Sequence, residues 1–137
     1  KEQAQRLGVD ARVRFLGHIP QEKLPSYFQA ADALILASSR EGIANVLLES
    51  MACGTPVVAT DVWGSRELVT SDVCGRLAPD RTAASIARSV RDLFKNYPDR
   101  NKVREHAERY RWENTAQEHA KILENVLRSY VSGNRDR

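Results

Sequence analysis

SSREGIANVLLESMACGTPVVAT, residues 38–60, contains two glutamates, Glu41 and Glu49, that are separated by seven residues. Gly42 directly follows the first glutamate. Apolar runs on either side predict strands, and the residues between them predict a helix that Gly-Thr-Pro ends: strands at 33–37 and 57–60, helix at 45–53. The start of such a helix attracts phosphate groups, because its first backbone N–H groups have no partner in the helix. The segment therefore predicts a ligand-binding corner that carries two carboxylates.

The residues around this segment continue the alternation of strands and helices. Two further strands are predicted at 12–16 and 75–78, and two further helices at 21–31 and 66–69. An alternating order is typical of parallel sheets. The predicted fold class is therefore α/β, with a Rossmann-like parallel sheet flanked by helices.

The last part of the chain, residues 81–132, is predicted to be a helical tail. Helices are expected at 82–95, in a short stretch that Pro98 opens, and at 112–130. Residues 133–137 are expected to fray. The chain therefore divides into an alternating core, residues 1–80, and a helical tail within one domain.

Side-chain patterns predict which faces of these elements are buried. The uninterrupted apolar character of residues 33–37 predicts a strand that is covered on both sides. Trp63 and Gly64 are expected in a loop that precedes the helical turn at 66–69. Helix 82–95 is expected to be capped by Thr82 and to turn four residues inward: Ile86, Val90, Leu93 and Phe94.

Composition excludes several classes of protein. The 137 residues have a net charge of +3 and the apolar content of an ordinary globular domain. Basic residues gather at 100–111 but alternate with glutamates, which favours a solvated helix face over contact with an anionic membrane, and no nucleic-acid-binding module accompanies them. Cys53 and Cys74 have no metal or redox spacing and indicate a reducing compartment. The chain begins at Lys1 in what reads as the end of a helix, so we expect it to be a piece of a longer protein.

Four segments carry a resemblance to a known family: VRFLGHIP, AADALILASSREGIANVLLESMACGTPVVATD, VWGSRELV and RWEN. In this order they resemble the C-terminal half-domain of the retaining, nucleotide-sugar-dependent glycosyltransferases of group 1 (family 4), which have the GT-B fold. The resemblance is specific from Val13 to Leu77. It implies that residues 1–137 are a single partial nucleotide-sugar-binding domain, the donor-binding half of a transferase.

The resemblance assigns roles to individual residues. Glu49 would accept hydrogen bonds from the ribose hydroxyls of the nucleotide, since one carboxylate can accept from two vicinal hydroxyls. Glu41 would lie at the catalytic centre and contact the donor sugar or the departing phosphate. Backbone N–H groups of Gly42, Ile43 and Ala44 would face the diphosphate, and Asn45 would also belong to the donor-binding site. Residues 15–19, including Gly17 and His18, would line the pocket for the base.

The resemblance also bears on the chemistry. No metal ion and no cofactor besides the nucleoside-diphosphate sugar, which is the substrate, are expected, because fixed N–H groups would stabilise the leaving diphosphate. Glu41 is interpreted as a sugar-binding group rather than a nucleophile. Ile43, Ala44 and Ala37 depart from the residues common in the family, so the donor sugar stays unassigned. The resemblance implies that the family's basic diphosphate clamp and its acceptor-binding N-terminal domain would precede the first residue of this chain.

The expected partners follow from the same resemblance. They are a nucleotide-sugar donor and a glycan or lipid-linked acceptor bound through the N-terminal domain, with no nucleic acid. A cytoplasmic location, with peripheral contact at the inner face of the membrane, and self-association of this chain are further expectations. Two alternatives stay open: a sugar-nucleotide epimerase on the same scaffold and a non-catalytic nucleotide-binding module. We expect the 137 residues alone to fold but not to transfer sugar.

Overall fold

The computed structural model describes residues 1–133, and a three-stranded parallel sheet forms its centre. The strands are β1 (Leu34–Leu36), β2 (Val57–Thr60) and β3 (Gly75–Ala78), in the spatial order β1-β2-β3. Leu34 is paired with Val57, and Val57 is paired with Gly75. This arrangement confirms the predicted parallel α/β sheet.

The described residues form seven α-helices in addition to the sheet. They are α1 (Glu2–Arg6), α2 (Leu24–Ala30), α3 (Asn45–Ala52), α4 (Trp63–Leu68), α5 (Ala83–Lys95), α6 (Arg100–Ala107) and α7 (Trp112–Gly133). Short 3-10 helices occupy Asp10–Arg12, Gln21–Lys23 and Glu108–Tyr110. None of the helices in the described part of the chain is long and apolar enough to span a bilayer.

The core lies between α3, the sheet and α6. Leu47 and Met51 lie one turn apart on the inner face of α3, and both are fully buried. They pack in one cluster with apolar side chains of β2, α4 and α6: Val57, Ala59, Leu68 and Val103 among them. All four residues of β2 are buried, as expected for the central strand of a sheet covered on both faces.

Gly54, which follows the end of α3, and Arg100, the first residue of α6, join the two helices. Gly54 has a φ of +76°, the left-handed conformation that ends many helices and that glycine adopts without strain. A β-carbon at this position would lie 3.0 Å from the carbonyl oxygen of Arg100. The Arg100 guanidinium donates to the carbonyls of Ala31 and Gln29 and to the hydroxyl of Thr55, so that one side chain ties α2, the entry to β2 and α6 together.

The strand predicted at 12–16 is absent. Residues 10–12 form a 3-10 turn and residues 13–20 an irregular segment. Val13, Phe15 and Leu16 are all exposed. A short segment becomes a strand only when a neighbouring strand pairs with it, and within the described residues none does.

Burial of β1 and of α5 also differs from the prediction. Ile35, in the middle of β1, is 49% exposed, so the edge strand is covered on one face only. On α5 the Thr82 cap is confirmed, since its hydroxyl accepts from the backbone N–H of Ser85. Phe94 does not point inward; it is exposed and stacks on Tyr97, with ring centroids 5.6 Å apart.

The later helices begin near their predicted positions. α6 starts at Arg100 rather than at Pro98, because the Asp99 carboxylate caps it by accepting from the N–H of Asn101. α7 runs three residues beyond the predicted end at 130 and ends at Gly133, the first of the residues for which fraying is predicted. Residues 134–137, for which fraying is also predicted, lie outside the described part of the chain.

Candidate functional site

The segment between β1 and α3, residues 37–44, lies at the carboxyl end of the sheet. It is anchored at its start by Thr60, the last residue of β2, whose hydroxyl lies 2.6 Å from the carbonyl oxygen of Ser38 and 3.3 Å from that of Leu36. The segment therefore has a fixed origin where two parallel strands end. Ligands of open α/β sheets bind outside this edge.

Helix α4 presses against the same segment. A β-carbon at Gly64 would lie 1.3 Å from the carbonyl oxygen of Gly42, a separation that two non-bonded atoms cannot adopt. Trp63 and Gly64 therefore belong to the first turn of a helix packed on the Gly42 backbone, and their predicted assignment to a loop was wrong. Only glycine at 64 allows this approach.

The other end of α4 is held by side chains from the α6 region. The Nε2 atom of His106 lies 2.8 Å from the Leu68 carbonyl oxygen, and the Tyr110 hydroxyl donates to the Glu67 carbonyl at 2.9 Å. Burial raises the pKa of the Tyr110 phenol, which keeps it a hydrogen-bond donor. These contacts satisfy carbonyl groups that a helix end leaves without intrahelical partners. They fix α4, and with it the residue that abuts Gly42.

A first cavity, the Glu41 cavity, has a volume of about 470 Å³ and is lined by Arg40, Glu41, Val62 and Trp63. Glu41 is partly buried, whereas Trp63 is 87% exposed. A carboxylate, a guanidinium and an indole therefore share one opening beside Gly42. Such a mixture of aromatic surface and few polar groups is typical of small-molecule sites.

A second cavity, the Glu49 cavity, has a volume of about 980 Å³ and lies between α3, the end of α4 and the start of α7. One face of α3 supplies four of its residues, at the spacing of successive helix turns: Asn45, Leu48, Glu49 and Ala52. Trp112 and Asn114 line the opposite wall. Gln21 and Ile43 complete it on the side of the predicted base pocket.

Charge differs between the two cavities. The Glu49 cavity has three carboxylates, from Glu49, Glu67 and Glu118, and one cation, Arg109. An anionic diphosphate would be repelled there, whereas hydroxyl groups and a neutral base would not. The Glu41 cavity contains one cation and one carboxylate and carries no net charge. A phosphate group therefore fits better at the Gly42 side than inside the Glu49 cavity.

The predicted site residues fall into five locations. Ile43, Asn45 and Glu49 line one cavity, and Glu41 lines the other. Gly42 is exposed between them. Ala44 is 5% exposed and belongs to the core, so its side chain is not available to a ligand. Gly17 and His18 are exposed on the irregular segment and are not among the residues that line either cavity.

The start of α3 has no side-chain cap. The N–H of Asn45 donates to the carbonyl of Ile43 at 3.1 Å, and the N–H of Leu47 donates to that of Ala44 at 2.9 Å. The backbone N–H of Asn45 is thus engaged within the turn. Any contribution of this residue to a ligand falls to its exposed side-chain amide.

Cys53 lies one turn beyond Glu49 on the same helix. Burial raises the pKa of its thiol, the Glu49 carboxylate adds to the rise, and Arg104 and Arg100 oppose it. Elsewhere, the Asp61 carboxylate accepts from the Arg66 guanidinium, which lowers its pKa. Among the described residues no group of three or more His, Cys, Asp or Glu side chains is arranged to hold a metal ion.

Several residues of the site are not assigned by the sequence. Arg40 and Val62 adjoin residues that the motif singles out, so their place in the Glu41 cavity could be inferred from proximity in the chain. Arg109, Trp112 and Asn114 come from the helical tail, and nothing in their local pattern indicates contact with α3. The placement of the 3-10 helix Glu108–Tyr110 and of α7 brings them to the Glu49 cavity.

Comparison with known proteins gives the family. The family described as "Glycosyl transferases group 1" matches residues 1–110. A D-inositol 3-phosphate glycosyltransferase of Corynebacterium urealyticum is 38% identical over 122 residues, which are 86% of this chain and 29% of that protein. An uncharacterized glycosyltransferase of Methanocaldococcus jannaschii is 35% identical over 117 residues, 82% of this chain and 30% of that protein.

Solved structures give the same answer for the fold. Sucrose-phosphate synthase from Thermosynechococcus elongatus superposes with a TM-score of 0.80 at 27% identity, over 93% of this chain and 33% of that one. Anabaena HepE in complex with UDP-glucose superposes with a TM-score of 0.71 at 29% identity, over 90% of this chain and 35% of that one. The chain spans about three tenths of the length of its sequence relatives. It belongs to the group 1 glycosyltransferases, as a segment that corresponds to part of a GT-B enzyme.

Proposed function

We propose that this chain is the donor-binding half of a retaining glycosyltransferase, which transfers a sugar from a nucleoside diphosphate to a glycan or lipid-linked acceptor. The observation that carries the proposal is the order of groups around α3. The Glu49 cavity, the Gly42–Ala44 backbone and the Glu41 cavity follow one another along this corner. A nucleotide sugar has the same order of parts: nucleoside, diphosphate and sugar.

Each part of the donor meets a group of suitable chemistry. Glu49 accepts hydrogen bonds from the ribose hydroxyls, in a cavity whose net negative charge disfavours phosphate. The uncapped start of α3 and the exposed Gly42 offer N–H groups to the diphosphate, and the helix dipole adds a positive potential there. Glu41 accepts from sugar hydroxyls. HepE, a structural neighbour, has been solved with UDP and with UDP-glucose, which supports a donor of this class.

The chemical step requires stabilisation of the leaving diphosphate, on which negative charge accumulates as the glycosidic bond breaks. The backbone N–H groups of residues 42–44, which lead into α3, would serve this purpose, with the Arg40 guanidinium at the edge of the Glu41 cavity. Because this assignment gives the task to N–H groups and a guanidinium, it requires no metal ion. Glu41 positions the sugar and does not attack it, and retention of configuration follows from reaction on one face of the sugar.

The acceptor would bind in a cleft that this chain shares with the rest of a longer enzyme. An acceptor carried on lipid would place that enzyme at the inner face of the cytoplasmic membrane. The apolar side chains that α7 exposes suit a contact with such further protein, among them Leu123, Leu127 and Tyr130.

A nucleotide titration tests the donor-binding assignment. Calorimetry or ligand-observed NMR would follow UDP, GDP and ADP with this chain, its Glu49→Ala variant and a Glu118→Ala control. Glu118 lines the same cavity from α7 but lies outside the motif, so its loss should leave nucleotide binding intact. Saturable binding of one nucleotide that Glu49→Ala weakens supports the proposal. Equal loss of binding in both variants, or no binding at millimolar nucleotide, contradicts it.

A further inference from the structure

Trp63 is the most exposed large side chain next to the motif. It is 87% exposed, although an indole is among the side chains that gain most from burial. It is the first residue of α4 and forms a wall of the Glu41 cavity, beside a carboxylate and a guanidinium. It is therefore presented at an opening rather than packed against the protein.

The backbone that carries Trp63 is fixed on both sides. Gly64 is in contact with the Gly42 carbonyl and leaves no room for movement toward the segment that contains Glu41. On the preceding side, Val62 donates its N–H to Thr60 at 2.9 Å, and Asp61 pairs with Arg66 one turn into the helix. The backbone that carries the indole is thus held in place by these contacts. A binding residue requires such a fixed position, and here it lies beside Glu41.

The groups of the Glu41 cavity match the two surfaces of a sugar ring. A pyranose has an apolar face of C–H groups and a rim of hydroxyls, so it binds well between an aromatic ring and a few polar side chains. Here the indole offers the flat apolar surface, Glu41 accepts from hydroxyls and Arg40 donates to them. A nucleobase would also stack on an indole, but the ribose-binding carboxylate lies in the other cavity.

We propose that Trp63 is a stacking platform for a pyranose ring and determines sugar affinity at the Glu41 cavity. This inference rests on the proposed donor-binding function and extends it to a residue outside the glutamate motif. The ring is supplied either by the donor, attached to the diphosphate, or by a saccharide acceptor that enters the same opening. Both have the same chemistry, and the experiment separates them.

The test uses the fact that the chain has two tryptophans. In a Trp112→Phe variant the emission reports on Trp63 alone, and in a Trp63→Phe variant it reports on Trp112 alone. Each is titrated with UDP, with UDP-glucose and with free glucose, while calorimetry measures the affinities. If the donor supplies the ring, UDP-glucose changes Trp63 emission and UDP alone does not. If an acceptor supplies it, free glucose changes Trp63 emission in the presence of saturating UDP.

Affinity gives a second readout that a structural role would not produce. If the donor supplies the ring, Trp63→Ala should weaken UDP-glucose about fivefold to tenfold and leave the affinity for UDP unchanged, with Trp63→Phe in between. If an acceptor supplies it, the same loss should fall on free glucose in the presence of UDP. Equal Trp63 responses to UDP and UDP-glucose with none to glucose, or equal weakening of both nucleotides by Trp63→Ala, overturn the inference. So does a change of oligomeric state in Trp63→Ala without any change in sugar affinity. If the inference about Trp63 is overturned in this way but UDP still binds and Glu49→Ala weakens that binding, the proposed donor-binding function is retained. If UDP does not bind, or binds independently of Glu49, the proposed function and the inference both fail.

Discussion

Gly64 and the backbone of Gly42 occupy adjoining space without a side chain between them. A β-carbon on Gly64 would lie 1.3 Å from the Gly42 carbonyl oxygen, whereas a β-carbon on Gly42 would meet nothing within 4 Å. The two glycines therefore have different requirements. Gly64 is required by packing, and Gly42 is required only if a ligand approaches its backbone.

Substitution of these two glycines should separate packing from binding. Gly64→Ala forces the segment that contains Gly42 away from α4, and we expect a loss of about 1 to 3 kcal/mol in the free energy of unfolding. Gly42→Ala should cost less than about 1 kcal/mol, yet it should weaken nucleotide binding because the methyl group obstructs the approach of a phosphate. Urea unfolding and calorimetry measure the two effects. The assignment fails if Gly64→Ala is as stable as the original chain, or if Gly42→Ala binds nucleotide equally well.

The parts of the fold that the sequence predicts well are those with a local cause. β2 and β3 have their predicted bounds. For β2 the reason is an apolar run that follows the Gly-Thr-Pro turn, which specifies a buried strand without reference to other elements. The predicted strand at 12–16 fails because a strand needs a partner, which its own residues cannot supply. The start of α4 was missed for a similar reason: Gly64 is typical of a loop by composition, and only its contact with Gly42 explains its presence in a helix.

In the candidate site, too, the features with a local cause could be predicted from the sequence and the tertiary ones could not. Glu41 and Glu49 are recognisable from spacing and surroundings in the chain, and whether they bind a donor stays a prediction. Their assignment to two cavities is a tertiary property. Trp112 reaches the Glu49 cavity from a helix that begins 63 residues further along the chain, and no periodicity within that helix encodes the contact. Sequence patterns report which residues share an element, not which elements meet.

Arg100 should be irreplaceable by lysine. Its guanidinium donates to two carbonyl oxygens and to the Thr55 hydroxyl, a set that a single ammonium cannot reproduce. Arg100→Lys should lower the free energy of unfolding by about 2 kcal/mol, the scale of hydrogen bonds from a charged donor. Arg104→Lys is the matched control on the same helix, where an exposed side chain pairs with Glu108, and its effect should stay within about 0.5 kcal/mol. Chemical unfolding of both variants gives the comparison; similar losses would refute the role of Arg100.

The Asp80 carboxylate should make the stability of the chain depend on pH in the acid range. Hydrogen bonds from the hydroxyl and the N–H of Thr82 lower the pKa of the Asp80 carboxyl. Because the folded-state pKa lies below the unfolded-state value, the stabilisation is complete above about pH 4 and is lost as the pH falls through the folded-state pKa. Asp80→Asn should therefore be less stable than the original chain at neutral pH, and the difference should shrink in acid. Thermal unfolding across this range measures it, and a difference that does not change with pH would exclude the linkage.

The pH dependence of Cys53 alkylation should respond to the charge of the Glu49 carboxylate. Its thiol has a raised pKa, caused chiefly by burial and in part by the Glu49 carboxylate one turn away on α3. Since only the thiolate reacts with iodoacetamide, alkylation should be slow at neutral pH and should accelerate only above about pH 8.5. Glu49→Gln removes the negative charge, so the rise in rate should move to lower pH.

Mass spectrometry of peptides that contain Cys53 and Cys74 separates the two sites. Cys74 is fully buried in the core and serves as the internal control, because it should stay unmodified while the chain is folded. In a Glu118→Gln variant the alkylation rate of Cys53 should depend on pH as it does in the original chain, since Glu118 is not among the charges that act on this thiol. An identical profile in Glu49→Gln would mean that the Glu49 carboxylate is too well solvated to influence its neighbours. Such a carboxylate would then be a weak partner for ribose hydroxyls as well.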